Sequence, residues 1–147
     1  MIPLDLPQYA HRMKKEKSVL RIYDIIRKKY VMLTPEEWVR QQFVHWLLEV
    51  HQYPKALMRV ETGLKYNQRQ KRTDLVVYNR AGLPFVLVEC KSMKITLDQQ
   101  VCEQAALYNA TLKAPYIIVT NGYFYQTFHV DQCAKKAEAY QGIPQFA

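Results

Sequence analysis

The sequence predicts a layered α/β fold of the α+β kind, with helices flanking a mixed central sheet. Two capping boxes predict the starts of two helices, and short apolar runs bounded by turn residues predict strands before and after each of them. The predicted order is two strands, a helix, three strands, a helix and two strands. Because a helix between neighbouring strands suits a right-handed crossover, we expect one parallel pair in a mainly antiparallel sheet.

The N-terminal half is predicted to contain a hairpin and the first helix. β-Branched and aromatic residues at 19–24 and 29–33 predict the two strands of that hairpin. Thr34 is the expected N-cap of a helix that ends near residue 51, with Pro35 in its first position and Glu37 closing the capping box. Apolar residues recur at helical spacing on one face: Val39, Phe43, Trp46, Leu47 and Val50.

Three strands are predicted after this helix. They span residues 56–64, 72–78 and 84–91, with a basic loop between the first two and turn-forming residues at 79–82 between the last two. The second and third strands therefore form a hairpin.

The second helix and a further hairpin are predicted downstream. Thr96 is the expected N-cap of a helix over residues 97–113. Strands at 116–120 and 123–129 flank Asn121-Gly122, the dipeptide typical of a type I′ turn. Residues 131–147 are expected to form a short helix and a tail.

Length and composition predict a single domain. At 147 residues, we expect an N-terminal arm at 1–18, a core at 19–130 and a C-terminal tail at 131–147. No apolar run is long enough for a membrane span and no secretory signal is apparent, so we expect a cytoplasmic protein without a membrane partner. The three cysteines have no metal-ligand spacing, so neither a zinc site nor a disulfide is expected.

The charge balance favours a polyanionic partner. The formal net charge is +8, and clustered Lys and Arg side chains attract phosphate backbones. A basic surface that only keeps the protein in solution is the alternative.

Charged residues occupy the end of the strand predicted at residues 84–91, in the stretch VLVECK at residues 86–91. Alternation along a strand places Glu89 and Lys91 on one face and Cys90 on the other. An exposed strand end with a surface ion pair is one explanation. The other is a functional site, because these charges interrupt an apolar strand that should pair with another one.

The expected register of the hairpin adds a second acid to this strand end. If Tyr78 pairs with Phe85, Asp74 lies directly opposite Glu89, with Cβ atoms roughly 4.5 to 5.5 Å apart. Two carboxylates at that distance repel each other unless a cation or a proton lies between them. Oxygen ligands favour Mg²⁺ or Mn²⁺, so the pair predicts a divalent metal site. A register shifted by one residue would remove this juxtaposition.

The spacing of Asp74, Glu89 and Lys91 resembles the active-site signature of the PD-(D/E)XK nuclease superfamily, although Thr73 stands where the superfamily has proline. The wider sequence over residues 33–122 is similar to the N-terminal nuclease domain of type I restriction enzyme R subunits. The stretches that carry this similarity are LTPEEWVRQ, VETGL, KRTDLVVY, FVLVECKS, EQAALYN and IIVTNG.

The resemblance implies a restriction-endonuclease-like core and a Mg²⁺-dependent (or Mn²⁺-dependent) DNA endonuclease. Asp74, Glu89 and the backbone carbonyl of Cys90 would hold the metal. Lys91 would orient or deprotonate the attacking water, or neutralise charge on the phosphate. A module that keeps this fold and binds DNA or another partner without catalysis is the alternative function. Cutting both strands of a duplex would need two active sites, which is compatible with a homodimer.

Further residues are candidates for the same site. Gln104 and Tyr108 match the QxxxY element of related nuclease domains and share one helix stripe with Gln100, whereas a solvated helix face is the alternative. Glu37 is explained by helix capping, yet the resemblance also places a first-helix glutamate near the metal. Glu61 would complete the acidic set if its strand lies beside that of Asp74, and an exposed strand glutamate is the favoured alternative. The candidate DNA-binding residues lie in the basic loop and at the start of the next strand, with a solvated basic loop as the alternative: Lys65, Arg69, Lys71 and Arg72.

Overall fold

A computed structural model describes residues 1–4, 9, 11–62 and 73–147, with the backbone alone at 61, 62, 73 and 74. These residues form ten strands and two α-helices, with a short 3₁₀ helix at Lys55–Leu57. In chain order they are β1 Ile2–Pro3, β2 Met13–Glu16, β3 Val19–Asp24, β4 Lys29–Met32, α1 Pro35–Glu49, β5 Met58–Thr62, β6 Thr73–Tyr78, β7 Pro84–Cys90, α2 Gln99–Leu112, β8 Tyr116–Thr120, β9 Phe124–Asp131 and β10 Lys136–Tyr140.

The main sheet is mixed, as predicted. Its order is β1-β9-β8-β7-β6-β5, and β10 also pairs with β9. β7 and β8, which α2 connects, are parallel, whereas the other pairs among the described strands are antiparallel. A second sheet has the order β2-β3-β4. The layered α+β fold with a mixed central sheet is therefore confirmed.

The central strand β7 is buried on both faces. Val86 and Val88 belong to the apolar cluster that contains Phe43 of α1, whereas Leu87 packs in a cluster with Tyr108 of α2. Each of the three β7 side chains is fully buried. The continuous aliphatic run in the sequence follows from this position, because a strand between two helical layers has no solvent face.

The first helix begins where the capping box predicts. Oγ1 of Thr34 accepts the backbone N–H of Glu37 at 3.1 Å, so one end of the helix is capped by a side chain. The helix ends at Glu49, two residues before the predicted end. Neither α1 nor α2 is both long and apolar enough to cross a membrane.

The second helix begins later than predicted. Asp98, not Thr96, is the N-cap, and its Oδ1 accepts the N–H of Val101 at 3.0 Å. The carbonyl of Thr96 instead accepts the N–H of Asp98 in the preceding loop, at 2.9 Å. Asp caps a helix as well as Thr does, so two candidate caps two residues apart could not be separated by sequence.

The turn between β8 and β9 is not the predicted type I′ turn. Of the Asn121-Gly122 pair, only Gly122 has a positive φ, at 91°. Oδ1 of Asn121 accepts the N–H groups of Tyr123 and Phe124, at 3.0 and 2.9 Å, so a side chain closes the turn. Asn readily bonds the backbone two residues ahead, and this local bond competes with the left-handed conformation that type I′ requires.

The chain ends were predicted incorrectly. Residues 136–140 form strand β10 on the edge of β9 instead of a short helix. Their Lys, Ala and Glu residues favour helix, but pairing with a neighbouring strand overrides this weak local preference. In the N-terminal arm, β1 pairs with β9 and β2 pairs with β3, which the sequence did not indicate.

The connection from α2 to β8 depends on one buried amide. Nδ2 of Asn109 donates to the carbonyl of Ala114 at 2.9 Å, and Oδ1 accepts the N–H of the same residue at 3.0 Å. We expect Asn109→Ala to lower the free energy of unfolding by about 1 to 3 kcal/mol, because it removes both bonds from a buried backbone. Urea unfolding measures this, with Thr111→Ala, an exposed position on the same helix, as the control. Equal losses in the two variants would contradict the assignment.

Candidate active site

The carboxyl end of β7 holds a buried acid beside a cation. Glu89 is 2% exposed, and Nζ of Lys91 lies 3.2 Å from its Oε1. The Lys91 N–H donates to the carbonyl of Thr120 at 2.8 Å, so β8 fixes the backbone from which this side chain projects. The lysine side chain keeps 22% of its surface exposed, so the ion pair extends from the sheet interior to solvent.

A cleft of about 530 Å³ opens at this strand end. Lys91 lines it together with Gln100 and Gln104 of α2, so the structure brings together the residue that follows β7 and two residues of the predicted polar stripe of the helix. Gln104 is exposed, and it therefore reaches the cleft from the solvent side and not from a buried position. The remaining lining residues are Glu36, Lys94, Ile95, Thr96, Asp98 and Val101.

Tyr108 occupies a different environment from the two glutamines. It is 4% exposed and packs with Val76 and Leu87, on the α2 side of the sheet. The three stripe residues predicted from the sequence are thus on one helix, but the tyrosine ring is part of the core beneath the cleft.

Strand pairing relates the acidic positions to one another. Leu75, Val76 and Val77 pair with Val88, Leu87 and Val86, which is the predicted register. A bulge then pairs Tyr78 with Pro84 and not with Phe85 as predicted. Bulges accommodate proline at a strand start, where its missing N–H would interrupt the ladder.

The acids themselves lie at the other end of this hairpin. The observed β6–β7 pairs begin at Leu75 and Val88, and the same register continued by one residue would bring Asp74 opposite Glu89. Glu61 and Asp74 are paired at their Cα atoms in β5 and β6. Three neighbouring strands therefore carry an acidic residue at this end of the sheet.

Glu37 is held in a buried network of charges. Arg27 forms ion pairs with both Asp24 and Glu37, and Arg40 forms another with Glu37. The two acids are 0% and 4% exposed, and Arg40 is 5% exposed. This network joins the β3–β4 connection to the first turns of α1. Glu36, the residue before Glu37, lines the cleft, whereas Glu37 does not.

Other predicted site residues are placed as follows. Cys90 is buried in the cluster on the α1 side of the sheet, opposite to the face of Leu87. The basic-loop candidates Lys65, Arg69, Lys71 and Arg72 lie outside the described residues. Among the side chains that the structure does describe, no three His, Cys, Asp or Glu residues form a metal-binding cluster. The side chains of Asp74 and Glu61 are outside the described part of the structure, so this statement does not include them.

The sequence did not indicate three of the charged residues that line the cleft: Glu36, Lys94 and Asp98. Glu36 and Asp98 belong to the first turn or cap of a helix, so the two α-helices both begin at the cleft. The capping signals located these helix starts in the sequence. Only the tertiary structure places the two starts together.

Comparison with protein families agrees with this architecture. The family described as type I restriction enzyme R protein N terminus (HSDR_N) matches residues 35–144. The chain belongs to this family. The matched segment extends from the start of α1 beyond β10, so it includes the cleft and all three acidic strand positions and excludes β1 to β4. No curated protein and no solved structure matches the chain at a significant level.

Removal of Glu37 is expected to destabilise the HSDR_N fold. Glu37→Ala leaves the buried guanidinium of Arg40 without this carboxylate, and we expect a loss of about 3 to 5 kcal/mol in the free energy of unfolding. Chemical denaturation measures the loss. Glu36→Ala removes the same charge from the adjacent exposed position and should change stability by less than about 0.5 kcal/mol. A small effect of Glu37→Ala would show that the network contributes little to folding.

Proposed function

We propose that this HSDR_N-family chain is a metal-dependent DNA endonuclease that hydrolyses phosphodiester bonds at the end of β7. One observation carries the proposal: a 2% exposed glutamate lies 3.2 Å from a lysine that lines an open cleft. Because burial of a carboxylate costs free energy, a strand end with only a structural role would carry an apolar residue at this position. Family membership supports a nuclease-related role for the same strand.

The acidic positions fit a hard divalent cation. Glu61, Asp74 and Glu89 occupy adjacent strands, and like charges on opposed strand positions destabilise a sheet. Carboxylate oxygens are the preferred ligands of Mg²⁺ and Mn²⁺. Asp74 and Glu89, with the backbone carbonyl of Cys90, would hold the ion. Such an ion, when bound, supplies Lewis-acid stabilisation of charge on the phosphate and makes water more acidic.

Lys91 has the position required to act on the substrate. Its side chain is 22% exposed and lines the cleft, while its backbone N–H donates to the carbonyl of Thr120. The contact with Glu89 restricts the rotamers of the lysine and keeps the charge at one place. A fixed cation beside the reacting phosphate stabilises the negative charge that develops in the transition state without reorganisation.

The cleft offers further contacts for a phosphate. Lys91 and Lys94 supply positive charge to its lining, whereas Glu36 and Asp98, at the starts of the two α-helices, are acids. Gln100 and Gln104 provide amide donors on the same wall. These contacts are independent of base identity, so they would position the DNA backbone and not read its sequence.

A cysteine nucleophile is a poorer explanation for chemistry at this site. Burial, followed by the carboxylates of Asp98 and Glu103, raises the pKa of the Cys102 thiol, which disfavours the reactive thiolate. Cys90 is buried on the opposite face of the sheet.

We expect Lys91→Ala to reduce DNA cleavage at least about 100-fold while binding to DNA changes little. Because the substitution leaves the buried Glu89 carboxylate without this lysine, unfolding stability is measured alongside, and cleavage is compared at a temperature at which both proteins are folded. Lys94→Ala is a matched control, because it removes the same charge from the same cleft at an exposed position outside the strand motif. Cleavage of supercoiled, linear and single-stranded DNA with Mg²⁺ or Mn²⁺ measures the effect, with affinity determined separately in EDTA. The control variant should retain activity within about tenfold.

The outcomes separate the two functions left open by the sequence. Absence of cleavage by the unaltered protein on all three substrates, with DNA binding retained, would support the non-catalytic binding module. Equal activity of Lys91→Ala and the unaltered protein would refute the assignment of Lys91.

Metal binding provides an independent test. We expect Mn²⁺ titration by calorimetry to show binding that Asp74→Asn and Glu89→Gln each weaken by about tenfold or more, because each removes a charged ligand. Glu36→Gln, which removes a charge from the cleft wall without altering the strand ends, should bind Mn²⁺ as the unaltered protein does. Identical affinities in all four proteins would exclude the acidic strand positions as the metal site.

A further inference from the structure

We propose that the small sheet β2-β3-β4 is a second DNA-binding surface, which holds the phosphate backbone of duplex DNA next to the cleft. This sheet lies outside the segment that matches the HSDR_N family. The choice of DNA as the partner rests on the proposed function, whereas the surface itself is argued from its charge and geometry.

Most of the net charge of the chain lies in the segment that contains this sheet and its connections. Residues 11–32 contain eight Lys and Arg against two Asp and Glu, a formal charge of +6 out of +8 for the whole chain. The much longer segment 35–144 contains thirteen Lys and Arg against ten Asp and Glu, a formal charge of +3. The segment with the nuclease resemblance therefore contributes less to attraction of a polyanion than the sheet beside it.

One face of the small sheet concentrates cations over aromatic rings. The guanidinium of Arg12 lies 4.2 Å from the ring centre of Tyr23, and Nζ of Lys14 lies 4.4 Å from that of Tyr30. The two rings contact each other edge to face at 5.2 Å, and Arg21 is the strand partner of Lys14. We call these five side chains the basic face.

At the centre of the sheet the basic face is directed away from the core, because the opposite side carries the buried Ile22 there and the exposed Lys15 and Lys29 only at its margins. Ile22, between Arg21 and Tyr23 in the strand, is 0% exposed, and alternation places its two neighbours on the other side. Glu16 is the acid beside the basic face, at 3.5 Å from Lys14 and 3.9 Å from Arg21. One carboxylate against three cations leaves an excess of positive charge at the surface.

The arrangement suits a phosphate backbone better than unstacked bases. Cations cover the ring faces of both tyrosines, so these faces are occupied and the charged groups are held in place above them. Bases of single-stranded DNA need free aromatic faces for stacking. Cations with restricted positions, in contrast, contact phosphates without reading sequence.

The small sheet is close to the cleft along the chain. Three residues lie between Met32, at the end of β4, and Glu36, which lines the cleft, so the Cα atoms of these two residues are within about 14 Å. That distance corresponds to about four base pairs of duplex at 3.4 Å each. Arg21 is the strand partner of Met32, so one duplex can contact both the basic face and the cleft.

The experiment is a titration of a fluorescent duplex of random sequence in EDTA, at several salt concentrations. Arg12→Gln/Lys14→Gln/Arg21→Gln removes three charges from the basic face. Lys113→Gln/Lys135→Gln/Lys136→Gln removes three charges from exposed positions beside α2 and β10. We expect the first variant to bind at least about tenfold more weakly at low salt, with a salt slope shallower by about 2 to 3, since each lost duplex contact removes about 0.9. The second variant should retain the slope.

Several outcomes would overturn the proposal. Equal losses in both triple variants would mean that only net charge matters, and unchanged binding of the first variant would exclude the basic face. Stronger dependence of single-stranded than of duplex binding on these residues would indicate base stacking instead. If the first variant does not fold, Arg12→Gln/Lys14→Gln, which keeps the half-buried Arg21, should bind more weakly with a salt slope shallower by about 1 to 2.

The measurement is independent of catalysis. EDTA removes the divalent cation, so the affinity does not depend on whether Lys91 and its neighbours support cleavage. A protein that binds DNA through the basic face but does not cleave it would contradict only the endonuclease proposal. A protein that cleaves DNA, but whose DNA affinity is unchanged when the basic-face residues are substituted, would contradict only the proposal of a second DNA-binding surface.

Discussion

The pairing of β7 between β6 and β8 is the constraint on which the site depends. Parallel pairing with β8 fixes one side of the strand and antiparallel pairing with β6 fixes the other. With helices on both faces, a shift by one residue would exchange the sides of Val86, Leu87 and Val88, all of them fully buried. The register that packs these side chains is therefore the one that buries Glu89, and the core determines the geometry of the charged strand end.

Two buried glutamates illustrate how neighbouring charges separate structural from chemical roles. Glu37 has two arginine partners, Arg27 and Arg40, in a network at the first turns of α1, and neither arginine lines the cleft. Glu89 has a lysine partner whose side chain reaches the cleft. Arginine is suited to fixed, bidentate pairing, whereas lysine is a point charge with a flexible stem. The same carboxylate chemistry thus stabilises the fold at one position and presents a cation to an open surface at the other.

The sequence predicted those features that local chemistry determines. Capping residues located both helix starts to within two residues, and alternation with hairpin length gave three of the β6–β7 pairs. Asp98 and Asn121 show where such prediction fails, because each offers a side-chain hydrogen bond that competes with the expected local structure. β10 shows a second kind of failure, since its residues favour helix and only the neighbouring β9 makes them a strand. The sequence also did not predict that Glu36 lines the cleft, because only tertiary contacts bring the start of α1 to it.

The distribution of basic residues along the chain relates the small sheet β2-β3-β4 to the site at the end of β7. Within the HSDR_N segment, four of the thirteen basic residues are Lys65, Arg69, Lys71 and Arg72, and without them the segment holds nine basic and ten acidic residues. The remainder of this segment is thus close to neutral. Under the proposed function, long-range attraction of DNA would therefore depend on these four residues or on basic residues outside the segment. In the sequence, the four residues precede β6, which carries Asp74, and β4 precedes α1, whose Glu36 lines the cleft. Each basic region is therefore adjacent in the chain to an element that carries a residue of the proposed metal site or of the cleft.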